Sequence, residues 1–220
     1  MYILNVDVDD AQTNGVCPQV MDMGSGYPWD APESVTRMRS GRPLDVSPNL
    51  RSFHLYPETN ATDLVSQGYI FAAGLLASPA FCAALEGRRV QAHERYPAQV
   101  VHGGEVLPYW WLHMTEELEE RIDFVRSTFT LRPGDGRSEE AVFADVDEFT
   151  RTRRALRNAG PGSVLARRVA FAPGTPPLDL FYLLVDGGTL FVSDALADEL
   201  TRRGLTGFEL LPTDAEFTFG

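Results

Sequence analysis

The sequence predicts an α+β fold, a largely antiparallel or mixed sheet built from hairpins with a few short amphipathic helices packed on it. Two observations carry this. Apolar runs are paired across the glycine turns His102-Gly103-Gly104-Glu105 and Asp186-Gly187-Gly188, the turn chemistry of hairpins. Single capped helices separate these pairs, whereas a doubly wound parallel sheet would alternate one strand with one helix. The chain is 220 residues long, 44% hydrophobic and 23% charged, enough for one generous core or two small ones. Residues 1–60 are expected to form an irregular Pro/Gly-rich part packed on an α+β core of residues 61–220.

Each element has a local reason. Over residues 2–8, Tyr2, Leu4, Val6 and Val8 alternate with Asn5 and Asp7, the pattern of a half-buried strand. From Asp9 to Pro57, six prolines and four glycines remove donors and break regular structure. Tyr27, Trp29, Phe53, Leu55 and Tyr56 nevertheless make that stretch apolar enough to drape on a core. After the apolar run Tyr69 to Leu76, Ser78 caps a short helix that has Pro79 in its first turn, Phe81 and Leu85 on one face and Gly87 past its end. Tyr96 to Val101 and Leu107 to Met114 then form an antiparallel pair.

A helical turn over Thr115 to Arg121 leads into Ile122-Asp123-Phe124-Val125, expected to return to strand, and Pro133-Gly134-Asp135-Gly136 ends that stretch in a loop. Asp145, with Glu148 three residues on, starts a helix carrying Val146, Phe149 and Leu156. Asn158-Ala159-Gly160-Pro161 stops it. Arg151, Arg153, Arg154 and Arg157 crowd its C-terminal half, where the helix dipole favours cations. Leu180 to Val185 and Thr189 to Val192 pair next. Ser193 then caps a helix with Leu196 and Leu200 on its buried face, Gly204 as its left-handed stop and a last strand over Phe208 to Leu211.

Charge and composition exclude several classes of function. The 31 acidic side chains exceed the 19 basic ones, giving a net charge of -12, which argues against direct nucleic-acid binding and favours a cationic partner or simple solubility. All the basic residues are arginine, so a lysine Schiff base, a P-loop lysine and a lysine general base are ruled out. Cys17 and Cys82 lie 65 residues apart without CxxC spacing and are expected to be reduced and structural. The start Tyr2-Ile3-Leu4-Asn5-Val6-Asp7-Val8 has no basic flank or long apolar stretch, and no run approaches the ~18 apolar residues a membrane helix requires. A cytoplasmic protein without membrane contact is expected.

Motifs for chemistry are sparse. His93 lies beside Glu94, His102 near Glu105 and His113 near Glu117, but HExxH spacing is absent and no metal or other cofactor is expected. Ser25 and Ser163 do not form GxSxG elbows. The run Glu116-Glu117-Leu118-Glu119-Glu120 reads as a solvated face or as a docking surface for a basic partner. Trp110 and Trp111 are adjacent on a strand, so one faces a core while the other, if exposed, is an interface anchor. The candidate partner-binding residues are accordingly Glu116, Glu117, Glu119, Glu120 and Trp110, with no catalytic residue.

The order RYPAQVV, a Gly-Gly turn, PYWWLHM, RIDFVRSTF and TLFVSDALADELTRRGLTGFELLP resembles the immunity-protein family of bacterial polymorphic toxin systems catalogued as immunity family eleven, formerly a domain of unknown function. The matching marks are Tyr96-Pro97, Tyr109 to Leu112, Ile122 to Phe124, Phe191 to Ser193 and Gly204 to Phe208. The resemblance spans residues 62–212 and covers neither the Pro-rich N-terminal part nor the glutamate run. It implies a cytoplasmic protein that binds a cognate toxin and occludes or distorts its active site, as a monomer or weak homodimer, with no catalytic residue. If that toxin is a nuclease, its basic groove suits an acidic inhibitor. A small hydrolase using the histidines with nearby glutamates, and a non-catalytic assembly module, are the alternatives.

Overall fold

A computed structural model of the chain describes residues 1–6, 15–134, 136–185 and 188–220. The fold is α+β, with fourteen strands and three short α-helices among these residues. The strands are β1 (Tyr2–Asn5), β2 (Val20–Asp22), β3 (Phe53–Leu55), β4 (Leu64–Val65), β5 (Gly74–Ala77), β6 (His93–His102), β7 (Glu105–Met114), β8 (Thr128–Arg132), β9 (Glu139–Ala141), β10 (Ser163–Ala170), β11 (Leu180–Leu183), β12 (Thr189–Val192), β13 (Glu209–Pro212) and β14 (Glu216–Thr218). The helices are α1 (Pro79–Ala84), α2 (Val146–Ala159) and α3 (Asp194–Arg202). They build a six-stranded sheet in the order β2-β3-β6-β7-β5-β4 and two four-stranded sheets, β11-β12-β1-β13 and β14-β10-β8-β9. Residues 1–60 therefore enter two of the three sheets, β1 as an inner strand and β2 and β3 at one edge. No helix among the described residues is long and apolar enough to cross a membrane.

Three apolar cores alternate with the sheets, and strand pleating assigns side chains to them. On β7, Tyr109 and Trp111 enter one core with Phe53 and Val100, while Leu112 and Met114 enter a second with Phe81, Leu196 and Leu200. On β1, Leu4 joins the second core with Tyr2 and Val6 against it, whereas Met1 and Ile3 pack against a third. β11 does the same, Leu180 facing the second core and Phe181 and Leu183 the third. Strands buried on both faces must be apolar throughout, which is why GLLA, LFYL and TLFV are continuous runs. The third core is aromatic: Phe129 lies 5.3 Å from Phe143 and 5.4 Å from Phe149, and Phe171 stacks on Phe219 at 4.7 Å.

The capping chemistry read from sequence appears in hydrogen bonds. Ser78 Oγ accepts from the Phe81 N–H at 3.1 Å. Asp145 accepts from Glu148 N–H at 2.8 Å while the Glu148 carboxylate accepts from Ala144 N–H at 2.7 Å. Ser193 Oγ accepts from Leu196 N–H at 3.1 Å and donates to Asp179 at 2.6 Å. Gly103 and Gly104 adopt φ of +59° and +84°, closing the β6–β7 hairpin at His102↔Glu105 in the left-handed geometry that a two-residue turn requires. Of the second hairpin turn, Asp186 and Gly187 lie outside the described residues, as do Asp7 and Val8 of the predicted first strand and Asp135 of the loop.

Two buried amides tie the layers together. Gln19 donates through Nε2 to the Asn60 carbonyl at 2.7 Å and accepts from Ser66 N–H at 3.0 Å, fixing the N-terminal part to the segment after β4. Gln91 donates to the Glu116 carbonyl at 2.8 Å and accepts from Tyr182 N–H at 2.7 Å, joining the hairpin base to β11. Each replaces ladder pairing where sheets meet and no regular partner is available.

One local reading needs correction. Ile122-Asp123-Phe124-Val125 is not a strand. Asp123 accepts from Arg126 N–H at 3.3 Å and caps a 3-10 turn over Phe124–Arg126, leaving only an isolated bridge between Ile122 and Phe171. The sheet β14-β10-β8-β9, against which the predicted helix α2 packs, is not among the elements read from the sequence. In β10, Arg167 and Arg168 interrupt the apolar pattern at a bulge between Ala166 and Arg168.

Candidate functional site: the outer face of the β6–β7 hairpin

Strands β6 and β7 pair over ten positions, from His93↔Met114 to His102↔Glu105. One face turns inward with Tyr96, Ala98, Val100, Tyr109 and Trp111. On the other face α1 packs over Leu112 and Met114 near the hairpin base, and Arg95 lies close enough to act on the buried Cys82 thiol. Toward the tip that cover ends. Pro97, Gln99 and Pro108 are exposed, Val101 is half-buried, and Trp110 and Val106 are 36% and 59% exposed. This apolar strip, interrupted by Gln99 opposite Pro108 and bordered by Arg95 on the base side, lies on a ten-pair ladder. Its exposed tryptophan flanked by prolines has the composition of an interface anchor.

The two tryptophans thus divide as strand geometry requires, Trp111 buried at 1% and Trp110 open. The acidic run does not join them. Roughly 14 Å of strand separates Trp110 from the end of β7 at Met114, and the glutamates point in different directions. Glu116 pairs with Arg121 at 2.8 Å. Glu117 is exposed against Gly41, and Glu120 is exposed.

Glu119 is not on the surface at all. It is 4% exposed, and its carboxylate accepts from Leu184 N–H. Burial pushes the Glu119 carboxyl above the usual carboxylate range, against the opposing pull of the Leu184 N–H, with Glu117 adding to the rise and Arg153 lowering it. The run is therefore neither one solvated face nor one docking surface. The cause is the 3-10 turn Leu118–Arg121, which sends Leu118 and Glu119 inward together.

The histidines do not converge. His93 and His102 lie at opposite ends of β6, about 30 Å apart at ~3.3 Å per residue. His113 is fully buried, its Nε2 donating to the Arg42 carbonyl at 2.9 Å, and burial lowers its pKa. Its carboxylate neighbour is not Glu117 but Glu94, directly across the ladder. Glu94 accepts a hydrogen bond from Tyr96, whose pKa is pushed up to about 12 by burial and by that carboxylate. No group of three metal-ligating side chains occurs among the described residues.

No protein-family model matches the chain, and no curated protein matches it. The hairpin's outer face and its chemistry therefore carry the functional argument.

Proposed function

We propose that this chain is an immunity-type protein that neutralises a cognate bacterial toxin by stoichiometric binding, without turnover of its own, and that it docks through the outer face of the β6–β7 hairpin. The observation that carries this reading is the uncovered strip Pro97, Val106, Pro108 and Trp110 on an otherwise well-packed ladder. The sequence marks that resemble immunity family eleven, Tyr96-Pro97 and Tyr109 to Leu112, fall on the same hairpin. The net charge of -12 supports rapid encounter with a basic partner such as a nuclease, and the hydrophobic strip supplies the short-range packing.

The test is calorimetric titration of the purified protein against the toxin encoded by the adjoining gene, with toxin activity followed in parallel. A one-to-one complex that silences the toxin is expected. Trp110→Ala weakens it by about 30-fold, the cost of a central anchor of about 2 kcal/mol. Absence of any complex at micromolar concentration sinks the proposal. A tight complex that Trp110→Ala leaves unchanged moves the interface elsewhere.

A further inference from the structure

A second surface lies away from the hairpin, at one margin of the sheet β14-β10-β8-β9. β9 is the last strand of that sheet, and no described strand lies on its other side. It pairs inward with β8 at Phe129↔Ala141, Thr130↔Glu140 and Leu131↔Glu139. Ala141 packs against the aromatic core, whereas Glu139 and Glu140 are exposed. Such a margin presents backbone N–H and C=O groups to a strand that can pair with them. The chain after β9 extends the surface. Ala144, Asp145 and Val146, together with the turn around Phe124, line a cleft of about 330 Å³. Ile122, Phe124 and Val146 give it apolar walls. Val125, also in the cleft wall, is 74% exposed, and Val142, between β9 and the cleft, is 55% exposed. These side chains form an apolar patch without cover.

Charge decides what can occupy it. Glu119, Glu120, Asp123 and Asp145 line the cleft and no arginine does. Residues 138–150 carry five carboxylates and no basic residue, and Glu120, Glu139 and Glu140 form no salt bridge among the described residues. A second copy pairing margin to margin would set glutamates against glutamates, and a neutral strand would leave them uncompensated. Glu140 and Ala141 point to opposite faces of β9. A strand beside β9 that alternates cationic and apolar residues therefore sets its cations against Glu140 and its apolar groups on the face of Ala141.

We propose that the outer margin of β9 and the cleft beyond it receive an extended segment of a partner protein, rich in arginine or lysine alternating with apolar residues, which adds to the sheet as a fifth strand and packs an apolar side chain against Val125 and Val142. Main-chain hydrogen bonds to β9 hold the segment, while the carboxylates select its charge. The surface is separate from the hairpin strip, and the inference does not rest on the toxin-binding reading.

A fluorescein-labelled octapeptide of alternating arginine and valine tests this by fluorescence anisotropy with the full-length protein, at about 0.15 M salt, where attraction between distant exposed charges is largely screened. Saturable one-to-one binding is expected, with slowed hydrogen exchange at residues 139–142, and the counterpart of alternating glutamate and valine does not bind. Two versions N-methylated at alternate amides, one on the valines and one on the arginines, keep the charge of the parent peptide. The version whose methyl groups face β9 binds about tenfold more weakly, the worth of one or two backbone hydrogen bonds. Glu140→Arg weakens binding by about tenfold, and Val125→Ser weakens it a few-fold. Both positions are exposed, and thermal melts verify that each variant is folded. Absence of saturable binding, equal binding of both methylated versions and the parent, indifference to Glu140→Arg, or protection that falls on β6 and β7 instead of β9 overturns the proposal.

Discussion

Replacing Glu119 by glutamine should stabilise the protein at neutral pH and have no such effect in acid. The carboxyl is 4% exposed and accepts the Leu184 N–H, while Arg153 donates to the Leu184 carbonyl at 3.4 Å. The Leu184 peptide is thus held at both ends. Glu119 and Arg153 do not form a direct ion pair among the described salt bridges, so desolvation outweighs the favourable contacts and the carboxyl's pKa rises. A carboxyl whose folded pKa lies above its unfolded value, near 4.3, contributes stability below that unfolded value and loses it as pH rises through the folded pKa. Each unit by which the pKa is raised corresponds to about 1.4 kcal/mol of differential penalty at neutral pH.

Glutamine keeps the oxygen that accepts from Leu184 and removes the charge. We expect Glu119→Gln to melt a few degrees higher than wild type at pH 8, at ~2–4 °C per kcal/mol for a chain of this size, with the difference closing by about pH 4. Glu119→Ala removes the acceptor as well, leaves a buried N–H unpaired and costs about 1–3 kcal/mol at every pH. Paired urea titrations of the three proteins at pH 4, 6 and 8 read this out. A glutamine variant less stable than wild type at pH 8, or a gap independent of pH, would falsify the claim that burial dominates at this carboxyl.

Two further outcomes are expected. A Cβ at Gly207 (φ +90°) would sit 2.0 Å from the Leu64 carbonyl oxygen, whereas one at Gly204 (φ +67°) meets nothing within 4 Å. Gly207→Ala should therefore be insoluble or lose more than about 4 kcal/mol, against about 1–2 kcal/mol for the left-handed strain alone in Gly204→Ala, as read by soluble yield and urea midpoint. Gln19→Leu should cost about 1–3 kcal/mol, because it strands the Ser66 N–H in a buried seam. Hydrogen exchange should then show the amides of residues 15–25 losing protection before those of β6 and β7.

What was legible in the sequence was whatever local chemistry determines. The caps Ser78, Asp145 and Ser193 satisfy N–H groups three residues away, and Gly103-Gly104 closes a turn whose strands are contiguous in the chain. What pairing at a distance decides was not legible. His93 and Glu94 are neighbours in sequence but point to opposite faces of β6, and the partner of Glu94 is His113, nineteen positions on, fixed by ladder register. β14 pairs with β10 in parallel across Arg168↔Glu216, a contact that no periodicity in either segment announces. At the candidate interface, Trp110 could be placed on a strand from sequence, but its exposure depends on where α1 stops covering the sheet. Glu119 looked like its neighbours until the 3-10 turn rotated it into the seam.

The form of recognition available at the hairpin tip follows from its prolines. Toward the tip, β7 has no strand beyond β6, since β5 pairs only with Trp110 to His113. The β6 edge is covered there by β3 at Val100 and Val101 and by the Leu50 carbonyl, which accepts from Gln99 N–H at 2.8 Å. An open edge such as that of β7 normally invites addition of a foreign strand. Pro97 and Pro108 both lie within the paired register, opposite Trp110 and Gln99. A proline is tolerated in a ladder only with its nitrogen turned away from the partner strand, so each removes a donor from the outward edge. The same prolines add apolar surface beside Trp110. The tip is therefore unsuited to pairing through its backbone and well suited to packing through its side chains. Under the docking proposed above, a partner would have to offer a surface that fits an indole and two pyrrolidine rings, with specificity set by shape at the strip and the rate of encounter by the diffuse acidic charge.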